Sequence, residues 1–165
     1  MAQTRQLCTF LLDRLLFGVE VVRVQEVIRY QQMTRVPLAS PVIRGLINLR
    51  GQIVTALDMR ARFELLPRPS GDLPMNVVIR SDNGPVSLLV DEIGDVVEVH
   101  QEAFELPPET ISSLGRDLIT GVYKLDKKLL LLLDTDRAIK VDGMGGPSPM
   151  RAEDRNTTRG TSLVH

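Results

Sequence analysis

The chain has 165 residues, room for one ordinary domain or two very small ones. Its 20 Lys+Arg against 21 Asp+Glu give a formal net charge of -1. Such a balance argues against a protein whose main task is gripping nucleic acid, which normally shows a basic excess. Apolar residues make up 43%, enough for a substantial core and against global disorder. With 4% aromatic residues and no Trp, that core must be built from Val, Leu and Ile. Cys8 is alone, so an intrachain disulfide or a cysteine metal cage is excluded and a reducing compartment fits.

In chain order, residues 7–12, 15–21, 76–80 and 85–90 are Val/Leu/Ile-rich and read as short strands. Asp13-Arg14 divides the first pair, and Asp82-Asn83-Gly84 the second, a hairpin signal because Asn and Gly tolerate positive φ. A short helix is expected over Val22–Ile28, where Val24, Val27 and Ile28 share one face. Two more are expected over Met59–Leu65 and Thr135–Ile139, each with an aspartate, Asp58 or Asp134, where an N-cap belongs. The run Leu129–Leu133 shows no alternation and should be covered on both faces. It is also the longest run of large aliphatics, far short of the roughly 20 residues a spanning helix needs. The N-terminal apolar stretch Leu7–Leu12 stops at Asp13-Arg14, unlike a secretory signal, so a soluble cytoplasmic protein without membrane insertion is expected.

The chain also repeats itself. At a shift of 69, Asp13, Phe17 and Val21 fall on Asp82, Val86 and Val90, and Val24-x-Glu26-Val27-Ile28 falls on Ile93-x-Asp95-Val96-Val97. At 70, Val36-Pro37 meets Leu106-Pro107; at 76, Gly45–Asp58 overlays Gly121–Asp134 without a gap. The growth in shift is a longer loop after Pro107, which a surface loop absorbs cheaply. The order of the matches implies two copies of one small β unit, about 7–66 and 76–142, joined by the proline-rich segment 67–75, with strand exchange between them left open. Such a unit buries little surface alone, and two packed together gain the rest. Residues 143–165 change to Gly, Pro, Ser, Thr and Arg, and a disordered tail is expected there.

No Walker A loop, GxGxxG after a strand, HExxH or GxSxG occurs. Cys8 reads as a buried thiol within a strand. Asp91, Glu92 and Asp95 read as a solvated face. Asp134-Thr135-Asp136 could hold a divalent ion, but an N-cap followed by a first-turn acid explains the pattern. A small hydrolase or metal-dependent enzyme built on Asp134, Asp136 and His100 remains the reading from a different class; the preferred expectation is a protein without catalytic activity, cofactor or metal.

The stretch Pro41-Val-Ile-Arg-Gly-Leu-Ile-Asn-Leu-Arg-Gly-Gln-Ile-Val-Thr-Ala-Leu-Asp-Met-Arg60 resembles the signature of the CheW family, the adaptors of bacterial chemotaxis arrays. Phe17-Gly-Val-Glu20, Val24–Ile28, Val90-Asp91, Asp95-Val96 and Leu118-Ile-Thr-Gly121 agree with it, so the likeness spans about residues 7–140. Thr55 departs from it where many members carry Pro, and Ser87 where some carry Gly. The resemblance implies a mainly β fold of two similar SH3-like five-stranded barrels with short helices, and no enzymatic activity. It also implies a cytoplasmic scaffold recruited to membrane-associated receptor arrays. There it would couple the cytoplasmic tips of methyl-accepting chemotaxis receptors to the regulatory domain of the histidine kinase CheA. A similar adaptor in a non-flagellar chemosensory pathway is the nearest alternative.

By the same resemblance, Val24, Glu26, Gly45, Asn48, Arg50, Val96 and Gly121 fall where the family contacts receptor or kinase. Gly45 and Gly121 occupy equivalent places in the repeat, so a backbone role stands beside a binding one. Val24 and Val96 stand open as core residues. The repeat counterparts of Glu26 and Arg50 are Asp95 and Asp126, both acidic, so opposite charges there are no requirement of the fold. Arg50 is therefore expected to present its donor fork at a hairpin tip, with Gly51 supplying the positive φ of the turn.

Overall fold

The computed structural model describes residues 3–109 and 113–141; the tail expected at 143–165 lies outside the described residues. The chain is mainly β. Strands β1 (Thr4–Leu12), β2 (Leu15–Glu20), β3 (Val24–Ile28), β4 (Ile43–Leu49) and β5 (Gln52–Asp58) precede helix α1 (Met59–Arg62). Then follow β6 (Met75–Ile79), β7 (Val86–Val90), β8 (Glu92–His100), β9 (Phe104–Glu105), α2 (Ser113–Leu118), β10 (Ile119–Leu125), β11 (Lys128–Leu133) and α3 (Thr135–Ala138). Two sheets result, a six-stranded one ordered β8-β1-β2-β11-β10-β9 and a five-stranded one ordered β3-β6-β7-β5-β4.

The sheets draw on both copies of the repeat. The opening hairpin of the first copy, β1–β2, lies in the sheet of β8, β10 and β11, while its counterpart β6–β7 lies with β3, β4 and β5. Each exchanged hairpin is held by one parallel and one antiparallel pairing, β2 with β11 and β1 with β8 in one sheet, β7 with β5 and β6 with β3 in the other. The two parallel pairings are images of each other under the repeat. All the other named strand pairs are antiparallel.

The apolar residues sort into three clusters. Phe10, Phe17, Leu131 and Leu133 from one sheet meet Leu57, Val77, Ile79 and Leu88 from the other in the largest. Leu7, Val99, Tyr123, Leu130 and Leu132 pack on the far face of the six-stranded sheet, and Ile47, Leu49, Val54 and Val78 on the far face of the five-stranded one. Each sheet therefore curls over a small core of its own and presses its other face against its partner. Strand β11 feeds both cores of its sheet with alternate leucines, which is why its sequence shows no alternation. Each of these buried leucines is worth roughly 1.5–3 kcal/mol. Leu129, at the strand's start, is 40% exposed and falls outside the covered run.

The helix expected over Val22–Ile28 is not formed. A 3₁₀ turn occupies Val21–Arg23 and β3 follows it, pairing Val24 with Ile79 and Glu26 with Val78. Branched side chains and an available strand partner outweigh a helical spacing that only three residues carried. The helix after Asp58 ends at Arg62 rather than Leu65. Glu64 takes a left-handed φ of 58°, while its N–H bonds Ala61 O at 3.0 Å and that of Leu65 bonds Arg60 O at 2.8 Å. The second helix likewise ends one residue early, at Ala138. Both aspartate caps form: Asp58 accepts from the N–H groups of Arg60 and Ala61, and Asp134 from that of Arg137. Arg62 then donates to the carbonyls of Arg137, Ala138 and Lys140, tying α1 to the end of α3. Ser87, fully buried, donates to Asn76 Oδ1 at 2.6 Å, so the hydroxyl costs the core no unpaired group.

A charged cluster pins the segment between the copies. Arg60 Nε and Nη2, Arg68 Nε and the backbone N–H of Asp13 all donate to the Asp91 carboxylate. Arg60 Nη1 also holds the carbonyl of Leu66 at 3.0 Å. Burial alone would raise the Asp91 pKa, but the bonds from Arg60, Asp13 and Arg68 outweigh it and hold the carboxyl below its ordinary value. Asp91 is thus one post joining the β1–β2 turn, α1 and the linker, and not the solvated acid its sequence suggested.

Candidate partner-binding surface

Of the residues singled out in the first copy, the structure brings Glu26, Asn48 and Arg50 together at the turn between β4 and β5. The two-residue turn between β4 and β5 is Arg50-Gly51, with φ of 51° and 87°, the left-handed pair that the twist of a tight hairpin requires. Gly51 therefore supplies only half of the positive φ, and Arg50 itself takes the rest. Asn48 holds the turn from within: its Oδ1 accepts the N–H of Gly51 at 2.8 Å.

From this tip the Arg50 guanidinium reaches strand β3 and donates to the Glu26 carboxylate. The hydrogen bond and charge of Arg50 lower the Glu26 pKa, and Glu26 raises that of Arg50 in return. Arg50 is 71% exposed in its side chain and Glu26 20%. The arrangement presents a cation already oriented by its acid, with donors still open to solvent. It is a recognition element by chemistry, since neither group meets a nucleophile or a metal-ligating partner.

Val24 lies in the same strand, half-buried against the main core. Val27, one of the exposed apolar residues, lies on the same side. Strand β3 bulges between Val24 and Glu26, so the register sets Val24 and Val27 opposite Ile79 and Val77 of the main core, with Glu26 opposite Val78 on the other side. Val27 was not singled out from the sequence, although the repeat places it on Val96. Both are exposed valines, at 39% and 58%, on strands β3 and β8, each an end strand of its sheet. That shared position was the available signal.

The two glycines have a backbone task. A Cβ on Gly45 would lie 2.7 Å from the carbonyl oxygen of Thr34, which bridges to Leu46. A Cβ on Gly121 would strike the ring of Phe104 and come within 2.7 Å of Glu105 O, where β9 crosses β10. The crossing segment is the same in each copy, and only a glycine lets it lie flat. Val96 and Gly121 belong to the six-stranded sheet, whereas Val24 and Glu26 lie on β3 and Gly45 and Asn48 on β4, the two end strands of the five-stranded one.

The acids considered for an enzyme are occupied otherwise. Asp134 caps α3, Asp136 is paired with Arg23, and His100 sits opposite Thr4 at the end of β8. Among the described residues no group of three His, Cys, Asp or Glu is placed to hold a metal ion. Cys8 is half-buried, and burial raises its pKa, which keeps it a thiol.

The model of the CheW-like domain matches residues 6–142. The chain belongs to the CheW-like family. Among its relatives, the chemotaxis protein CheW of Treponema pallidum is 30% identical over 133 residues, 78% of each chain. That of Bacillus subtilis is 27% identical over 147 residues, 89% of this chain and 94% of its own. The crystal structure of the scaffolding protein TtCheW from Thermoanaerobacter tengcongensis superposes with a TM-score of 0.75 at 26% identity, covering 86% of this chain and 96% of that one. The two curled sheets are thus the CheW-like fold, and the exchanged hairpins give this member three cores from two repeats. Among the described residues no helix is long and apolar enough to cross a membrane.

Proposed function

We propose that this CheW-like chain is a non-catalytic coupling protein of a chemotaxis system, binding the cytoplasmic tip of a methyl-accepting receptor and the regulatory domain of the histidine kinase CheA at once. Its working unit is residues 1–142, as two subdomains of about 7–66 and 76–142 with their opening hairpins exchanged. The observation that carries the reading, within that family, is the Arg50–Glu26 pair: a pre-oriented, largely exposed guanidinium on a tight hairpin. An oriented arginine is what a protein interface uses as an anchor. The groups proposed for contact are Val24, Glu26, Asn48, Arg50 and Gly45 in one sheet and Val96 and Gly121 in the other, the glycines and Asn48 through the backbone shapes they impose.

Coupling of this kind requires each partner to interact differently in two receptor states. Weak contacts suffice, because repetition in an array multiplies avidity. The test is co-sedimentation with receptor-containing membranes, with and without the kinase. Kinase should pellet only when this chain is present, and Arg50→Ala should reduce that recruitment. A chain that neither pellets with receptors nor retains kinase would refute the proposal. A pull-down then identifies the cognate kinase and separates flagellar from non-flagellar pathways.

A further inference from the structure

Strand β3, which carries Val24 and Glu26, ends its sheet and pairs with β6 alone. Two side chains from β6 and its end fasten it besides the ladder. Nη1 of Arg80, the residue after β6, donates to the carbonyls of Val22 at 3.1 Å and Val24 at 2.7 Å. Asn76 Nδ2 donates to the carbonyl of Arg29, one residue past the end of β3, at 3.1 Å. Arg80 is exposed, and among the described residues no acid pairs with it, so these two carbonyls are the partners of its side chain.

The six-stranded sheet does without both. Under the shift of 69, Leu11 stands at the place of Arg80 and Leu7 at that of Asn76. Its end strand β8 nevertheless carries the same bulge: Ile93 and Val96 face Phe10 and Cys8, as Val24 and Val27 face Ile79 and Val77. There Thr9 of β1 reaches the bulge and its hydroxyl donates to the Asp95 carbonyl, while a Cβ on Gly94 would run into that hydroxyl. Val78 stands at the place of Thr9 and has no donor to offer, and Gln25 takes the place of Gly94. The bulge of β3 is fastened instead by Arg80, just before its extra residue. That fastening matters because side chains alternate along a strand. If the bulge slipped out, the residues beyond it would change face, and Glu26 would leave the side on which Arg50 meets it.

We propose that Arg80 is a positioning residue of the partner-binding surface: by clasping the Val22 and Val24 carbonyls it fixes the bulge that aims Glu26 at Arg50. The assignment rests on the proposed contact of the Arg50–Glu26 pair with receptor or kinase. A guanidinium suits the task, because one of its nitrogens presents two N–H donors to two main-chain oxygens at once. The fold itself makes no demand for an arginine at this register, since Leu11 fills the equivalent place in the other sheet. Arg80 acts on the partner only through the pair it aims.

The test uses the full chain, labelled for NMR. In the wild type the Arg80 Nη1 protons should give a signal of their own, slow to exchange with water; a freely rotating, averaged guanidinium would overturn the proposal even if no variant folded. In Arg80→Gln, amide protection should fall across β3 while β7 keeps its own, and the Glu26 carboxyl should titrate nearer an ordinary glutamate. Arg80→Lys, whose ammonium keeps both the charge and the donors, should restore both. In co-sedimentation with receptor membranes, Arg80→Gln should weaken kinase recruitment by up to about tenfold, and adding it to Arg50→Ala should weaken it no further. Unchanged β3 protection and Glu26 titration in Arg80→Gln would overturn the proposal. So would a further loss on top of Arg50→Ala, which would make Arg80 a contact in its own right. Altered protection and titration with recruitment intact would uphold the clasp and overturn the pair as the contact.

Discussion

The guanidinium of Arg50 at the tip of the β4–β5 turn rests on the carboxylate of Glu26 in the end strand β3, 24 residues earlier in the chain. The two form one unit held outside the core. Exposed ion pairs add little to stability, so this pairing aims the arginine more than it braces the fold. Arg50→Ala should leave the melting temperature within about 2 °C of wild type. The same change should weaken co-sedimentation with receptor membranes by about tenfold, the scale of an interface anchor. Glu26→Ala should resemble it, and the double variant should be little worse than either, which a double-mutant cycle measures. Because Arg50 lowers the Glu26 pKa, binding through the pair should stay level from neutral pH down to about 4.5, where a free glutamate would already be half protonated.

Asn48 should behave differently, although it is two residues away. Its Oδ1 satisfies the Gly51 N–H at the turn, and Arg50 holds a positive φ that a side chain rarely adopts without such help. Asn48→Ala should cost about 1 kcal/mol of stability in a denaturation curve, along with part of the partner binding. A variant that bound poorly with full stability would make Asn48 a direct contact instead.

At Gly121 the constraint is steric. A methyl group there meets Glu105 O at 2.7 Å, and at Gly45 it meets Thr34 O at the same distance. Both obstacles are backbone, which cannot swing aside. Gly121→Ala and Gly45→Ala should each destabilise by about 1–3 kcal/mol, the usual penalty for overpacking. Any loss of partner binding should then be recovered at low temperature, where the variants refold. Full stability with lost binding would place the partner on the glycine itself.

These residues also show what the sequence could disclose. The repeat was legible because Gly45, Gly121, Asp58 and Asp134 do the same backbone work in each copy, and such work admits few residue types. Strands announced themselves by composition, and β11 by a run of leucines that two cores share. The exchange of hairpins was left open, since parallel pairing of β2 with β11 joins residues more than a hundred positions apart and leaves no local mark. The segment Val22–Ile28 misled because three apolar residues fit a helical face and a strand equally, and β6 decided between them. The Arg50–Glu26 contact and the Asp91 post were hidden for one reason: an ion pair depends on which chain segments meet, and charges in sequence look alike whether solvated or paired.

Asp91 offers the sharpest test of packing between the copies, because one carboxylate fastens Arg60, Arg68 and the Asp13 N–H. Asp91→Asn keeps the volume but removes the charge and leaves two guanidiniums facing each other. It should cost about 2–4 kcal/mol at neutral pH, somewhat less than a fully buried pair because the carboxylate is 16% exposed. The folded pKa of Asp91 lies below its unfolded value near 3.8, so the folded form binds the proton less readily than the unfolded one. The stabilisation is therefore complete above about pH 4–5 and fades as the pH falls through the unfolded pKa to the lower folded one. Denaturation curves of wild type and Asp91→Asn should be far apart at pH 7 and converge in acid. A gap that stayed constant down to strongly acidic pH would mean that the carboxylate is held by shape and that its charge does no work there.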